Sequence, residues 1–143
     1  MSELDEFGRS PLHYAAVDGD LAAVERLLNT EDVNLADAEG WTPLHFAARS
    51  AAAPVVERLL DAGADIDAVT EKGMPAIYWA AVARSGDPVQ TIRVLRARGA
   101  DPTRKTIKDD YFPPESPLYF ISESGTAPEI RAEFADLLDQ EPS

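Results

Sequence analysis

The sequence predicts an all-α solenoid, a row of helix-turn-helix units stacked side by side and joined by short turn or hairpin loops. Three observations predict it. A short motif recurs along most of the chain at a spacing of 32 to 33 residues, the mark of a repeat architecture. Each copy is followed by apolar residues at helical spacing. The 143 residues include no cysteine, so neither a disulfide framework nor a thiolate zinc site organises the chain instead.

Four segments align. The first opens at Asp5 and runs Ser10-Pro11-Leu12-His13-Tyr14-Ala15-Ala16, then Gly19, Val24 and Leu27-Leu28. The second opens at Asp37 and runs Gly40-Trp41-Thr42-Pro43-Leu44-His45-Phe46-Ala47-Ala48, then Val56, Leu59-Leu60 and Gly63-Ala64-Asp65. The third runs Gly73-Met74-Pro75-Ala76-Ile77-Tyr78-Trp79-Ala80-Ala81, then Ile92, Leu95 and Gly99-Ala100-Asp101. The fourth is weaker: Ser116-Pro117-Leu118-Tyr119-Phe120-Ile121, then Gly125, Ile130, Phe134 and Leu137-Leu138.

Each position has a physical reason. Ser10 and Thr42 stand where a helix N-cap hydroxyl satisfies an orphan amide. Pro11 and Pro43 follow at the first helical position, where a missing N–H costs nothing. Leu12 and Ala15-Ala16 share one face of a short helix, and the small residues let neighbouring helices approach. Gly19 supplies the positive φ that turns the chain into a second helix. There Leu21, Val24, Leu27 and Leu28 form the expected buried stripe, repeated at Val56, Leu59 and Leu60. Gly63 and Gly99 fit the left-handed residue that ends a helix. A last helix is expected over about Pro128 to Asp139, with Glu129, Arg131, Glu133 and Asp136 on a polar outer face. That face suits a terminal cap.

A Thr-Pro-Leu-His-x-Ala-Ala motif at this period resembles the ankyrin repeat, and the resemblance runs from about residue 4 to about residue 139. It implies one domain over 1–143, with repeats at about 5–36, 37–69, 70–103 and 116–139 and a loop insertion at about 102–115. It also implies that His13 and His45, one repeat apart, hydrogen-bond within their own repeat and to a neighbouring turn. Departures are informative. Asn29-Thr30-Glu31-Asp32 replaces Gly-Ala-Asp, and Ala51 stands where the inter-helix glycine belongs. In repeat 3, Pro75-Ala76 replaces Thr-Pro and Tyr78 replaces histidine. That repeat carries about three extra residues within Val82 to Gln90, and the loop over 102–115 is longer by about eight. Insertions in a repeat stack map to loops, often on a working face.

The net charge of −13 argues against nucleic acid, whose binding requires Lys and Arg to displace counterions, and against an anionic membrane. No apolar run approaches the ~20 residues of a spanning helix. A soluble, cytoplasmic, monomeric domain is expected. The charge is uneven: net −10 over residues 1–70, +3 over 71–110 and −6 over 111–143. The acidic pairs fall at turns and helix starts, where Asp caps and turns locally. No calcium loop, phosphate loop or nucleophile elbow is present. Catalytic residues, metal ligands and cofactors are therefore all expected to be none.

The resemblance implies a non-enzymatic protein-binding module that uses turn tips and the concave face of its first helices. Carried onto this chain, the candidate contacts are Phe7, Arg9, Asp18, Glu39, Trp41, Arg49, Lys72, Met74 and Arg84. Tyr111 and Phe112 of the long loop join them. The alternative is an acidic immunity or inhibitor protein that neutralises a basic toxin or enzyme, since complementary charge speeds association. Tyr14, Phe46, Trp79 and Phe120 recur at one repeat position and are expected to form a packing ladder. Trp41 is expected either to anchor a partner or to pack across the adjacent turn.

Overall fold

The computed structural model describes residues 4–123 and 126–138. The candidate turn residue Gly125, the helix end at Asp139 and the segment 140–143 lie outside the described residues. The helices are α1 Pro11–Asp18, α2 Leu21–Leu27, α3 Pro43–Arg49, α4 Ala53–Asp61, α5 Ala76–Ala81, α6 Pro88–Ala97, α7 Pro117–Glu123, α8 Pro128–Ala132 and α9 Ala135–Leu138. First helices pack in one row, α1 on α3 on α5 on α7, and second helices in another, α2 on α4 on α6 on α8. Among the described residues the only bridges are two isolated ones, Val69 with Pro75 and Ile107 with Glu115. The all-α solenoid expected from the sequence is the observed architecture.

The core lies between the two rows. Leu12, Leu44, Ile77 and Leu118 come from the first helices, and Val24, Val56, Ile92 and Ile130 from the second. None of these elements buries its own apolar face, so each repeat depends on its neighbours. Leu59 and Leu95 are fully buried at the expected stripe positions. Leu21 departs from that reading and is exposed. It sits on α2, the first of the second helices, which packs on α4.

Along the opposite edge the hairpins are zipped together by main-chain hydrogen bonds. The Ala38 amide donates to the Phe7 carbonyl, Glu71 to Glu39, and Lys108 to Lys72, each at 2.9 Å. Residues 102–115 therefore form a further hairpin in the same row. Its Ile107 is buried, and the Thr106 hydroxyl donates to the Gly73 carbonyl at 2.7 Å. The excess in this connection is smaller than eight. Asp65 precedes the α5 N-cap Pro75 by ten positions and Asp101 precedes Ser116 by fifteen. The other three residues of the longer period lie between α5 and α6, in 82–87.

One further expectation changes and one holds. The last helix is broken into α8 and α9, because its Glu133-Phe134 link is held by α6. The Glu133 carboxylate takes Arg93 at 2.7 Å, and its carbonyl accepts from Arg96 at 2.6 Å. Ala51 does occupy the glycine slot, with the left-handed φ of +52°, an unfavourable region for a side chain.

Leu59→Ala is expected to lower stability by about 2–5 kcal/mol through the cavity it leaves, read by urea unfolding. Gly73 has φ +87°, and a Cβ there would lie 1.7 Å from the Thr106 carbonyl oxygen. Gly73→Ala is expected to cost about 1–3 kcal/mol in backbone strain. It should also raise hydrogen exchange at the Lys108 amide.

Candidate functional site

The surface that carries the exposed aromatic and cationic side chains is built on two histidines. In repeats 1 and 2 the N-cap residue and the histidine three positions on form a capping box. The Ser10 amide donates to His13 Nδ1 at 3.0 Å, and the Thr42 amide to His45 Nδ1 at 3.0 Å. Nδ1 is thus an acceptor in both rings and the proton sits on Nε2. That Nε2–H donates to the Trp41 carbonyl from His13 at 3.0 Å and to the Ala68 carbonyl from His45 at 2.9 Å. Each imidazole therefore starts its own helix and grips the hairpin of the next repeat, as the resemblance implies. Burial pushes the His13 pKa down, and burial pushes that of His45 down to about 4.

The hairpins use a second device. The Asp5 carboxylate accepts from the Phe7 and Arg9 amides, both at 2.9 Å. Asp37 accepts from Glu39 and Trp41 at 2.9 Å, and Asp109 from Tyr111 and Phe112 at 2.7 and 3.1 Å. In repeat 3 the Thr70 hydroxyl takes this place, accepting from Met74 at 3.2 Å. Asp37 is buried and also receives Arg9 at 3.0 Å.

Trp41 occupies the middle of the surface. Its ring is tilted against Trp79, centroids 4.4 Å apart, and against Phe46 at 4.9 Å. The Arg49 guanidinium lies 5.8 Å from its centroid. The aromatic row is therefore not four equivalent rings in contact. Trp41 joins Phe46 to Trp79, Tyr78 meets Phe120 at 6.1 Å, and Tyr14 is exposed with its hydroxyl on Asp5. Trp79 lines two hollows. One, of about 360 Å³, also involves Glu39, Trp41, Glu71, Lys72 and Met74. The other, of about 390 Å³, is walled by Arg49, Trp79, Val82, Ala83, Arg84 and Ser85.

The candidate contacts separate into three groups. Glu39, Trp41, Lys72 and Met74 come together around the first hollow and Arg49 and Arg84 around the second. Tyr111 and Phe112 stand at a hairpin tip, 89% and 71% exposed. Phe7 and Asp18 are exposed at the repeat 1 end. Arg9 is half-buried, bound to Asp37 and lying 4.9 and 5.0 Å from the Phe7 and Phe46 centroids. It joins repeat 1 to repeat 2. Trp41 is half-buried and packs against Phe46 and Trp79. Sequence reasoning placed Trp79 in the packing ladder and missed its position between the hollows. The signal available was the lengthened α5–α6 connection, which supplies a wall of the second one.

Among the described residues no group of three or more His, Asp or Glu side chains is placed to hold a metal ion. No helix there is long and apolar enough to cross a membrane. Stacked helix pairs, zipped hairpins and a recessed aromatic strip define a repeat scaffold that presents a surface. The sequence over residues 1–70 matches the family model described as ankyrin repeats in three copies. The chain is an ankyrin-repeat protein, a family whose members generally serve as protein-protein interaction modules. The helix pairs of α5–α6 and α7–α8 continue the stack beyond the matched span. No curated protein sequence matches the chain significantly.

Because the folded pKa of His45 lies below that of a free imidazole, the unfolded chain binds more protons between about pH 6.5 and pH 4. The stabilisation from the neutral ring is complete above about pH 6.5 and is lost as pH falls through the folded value. His13 acts in the same direction. The unfolding free energy from urea titration is expected to fall from pH 7 to pH 4, by on the order of 3 kcal/mol from His45 alone. The His45→Gln variant should show a flatter profile.

Proposed function

We propose that this chain is a non-enzymatic binding module that captures a protein partner through its hairpin tips and the exposed edge of its first helices. The observation that carries the reading is the exposure of Tyr111 and Phe112 at a hairpin tip anchored by the buried Ile107. Two neighbouring rings held in water on a pinned loop gain free energy when a partner covers them, and aromatic side chains dominate binding hot spots. The Trp41–Trp79 strip and the cations Arg49, Lys72 and Arg84 lie along the same repeats, 2 and 3.

The test is affinity capture from native lysate with wild type and with the Tyr111→Ser/Phe112→Ser double variant, read by mass spectrometry. A one-to-one partner should be lost from the variant, whose melting temperature should stay unchanged. Retention of the partner, or hydrogen-exchange protection confined to α2, α4 and α6, would overturn the reading.

The alternative, an acidic inhibitor of a basic toxin or enzyme, is favoured by the net −10 of residues 1–70. Asp18, Asp20 and Glu39 are exposed there, and none of the three forms an ion pair among the described residues. That reading requires a basic partner bound at about 100 mM salt and released at about 500 mM, where exposed charge pairs are screened.

A further inference from the structure

We propose that the hollow between the end of α3 and the α5–α6 connection receives an acidic segment of the partner. One carboxylate would sit between Arg49 and Arg84, and an adjoining apolar side chain against Trp79 and Val82. The inference rests on the first-helix face being the binding surface and adds the chemistry of what that face binds.

The charge of the wall is the first argument. The chain has 26 acidic and 13 basic side chains, yet the wall of this hollow holds two arginines and no carboxylate. Most arginines of the central repeats are already neutralised within the molecule. Arg58 pairs with Glu25, Arg93 with Glu133, Arg96 with Asp136, Arg98 with Asp61 and Arg104 with Asp67. Arg49 and Arg84 are exposed and form no ion pair among the described residues. Glu39 and Glu71 line the other hollow, beyond Trp79. The Asp87 carboxylate caps α6, accepting from the Gln90 amide at 3.1 Å.

The second argument is that the two guanidiniums are carried on backbone that is held in place. The left-handed Ala51 carbonyl accepts the Asp87 amide at 2.9 Å. Gly86 approaches so closely that a Cβ on it would lie 2.2 Å from the Ser50 carbonyl oxygen. The connection bearing Arg84 is thereby pinned to the end of the helix bearing Arg49. Arg49 is further oriented by the Trp41 ring. Paired guanidiniums bind a carboxylate through charge-assisted, often bidentate hydrogen bonds. The apolar half of the proposed ligand meets Val82, which is 42% exposed, and the indole of Trp79. A basic segment would instead place like charges together, which costs affinity and excludes it.

The test uses a phage-displayed library of random dodecapeptides, panned against the full chain and against Arg49→Glu/Arg84→Glu. Wild type should select peptides with Asp or Glu beside Leu, Phe or Trp, and the double variant should select Lys or Arg in their place. A fluorescein-labelled wild-type peptide should lose about tenfold or more in affinity per reversed arginine. Arg84 is exposed and makes no ion pair among the described residues, so the Arg84→Glu unfolding curve should be unchanged, while Arg49→Glu should lose only the exposed contact of its guanidinium with Trp41. Val82→Asp blocks the hollow without touching either arginine and should also abolish binding. Selection of basic or neutral peptides, equal binding by the double variant, or no enrichment at all would overturn the proposal. Non-acidic peptides that Val82→Asp displaces would leave the first-helix face as the binding surface and remove only its charge preference. Peptides indifferent to Val82→Asp and to both arginine reversals would remove the face itself.

Discussion

The stack depends on each repeat holding the backbone of the next hairpin, and in repeats 1 and 2 one neutral imidazole does so. The ring spends its acceptor on the amide that begins its own helix and its donor on a carbonyl of the following repeat. Both bonds require one tautomer, and protonation at Nδ1 would set two donors against each other. A solenoid has no contacts between distant repeats to compensate for a failed joint. The histidines are therefore structural parts of the surface they lie beneath, and burial keeps them uncharged.

At the third joint that device is missing, and the protein substitutes others. Tyr78 replaces the histidine and turns its ring toward Phe120. The main-chain zipper continues from Lys72 to Lys108. On the far side Arg93 and Arg96 reach across to Glu133 and Asp136. Isolated exposed ion pairs contribute little to stability. Arg96, however, also donates to the Glu133 carbonyl and lies 5.6 Å from the Phe134 centroid, a ring that is fully buried. Two of the eight positive charges of residues 71–110, Arg93 and Arg96, thus join the cap to the stack, while Arg98 and Arg104 pair back to Asp61 and Asp67.

Most of the fold is legible in the sequence because the repeat motif encodes local events: a cap, a proline, a glycine turn and an apolar stripe. What is not legible is set by contacts between repeats. The break at Glu133-Phe134 follows from two arginines some forty positions away in the chain. The exposure of Leu21 follows from its place at one end of the row of second helices. The site is legible only in outline. Arg49, Lys72 and Arg84 do lie on the expected face, but the same rule selected Arg9, whose guanidinium is taken by Asp37. A turn-tip position shows that a side chain can reach solvent. Whether it does depends on a neighbour that the local sequence does not specify.

Trp41 shows why stability and binding are hard to separate in this molecule. Its ring closes the step between Phe46 and Trp79, orients Arg49, and forms part of the wall of one hollow while its neighbour Trp79 separates that hollow from the next. Truncating it would loosen the stack and reshape the surface together, so a loss of affinity in such a variant would not identify a contact. The residues that report on recognition alone are those the stack does not use. Arg84, Val82, Tyr111 and Phe112 meet that condition, because each projects from a segment pinned through its backbone. The rigidity resides in the main chain and the chemistry in free side chains, the division a binding surface requires if its specificity is to change without loss of the fold.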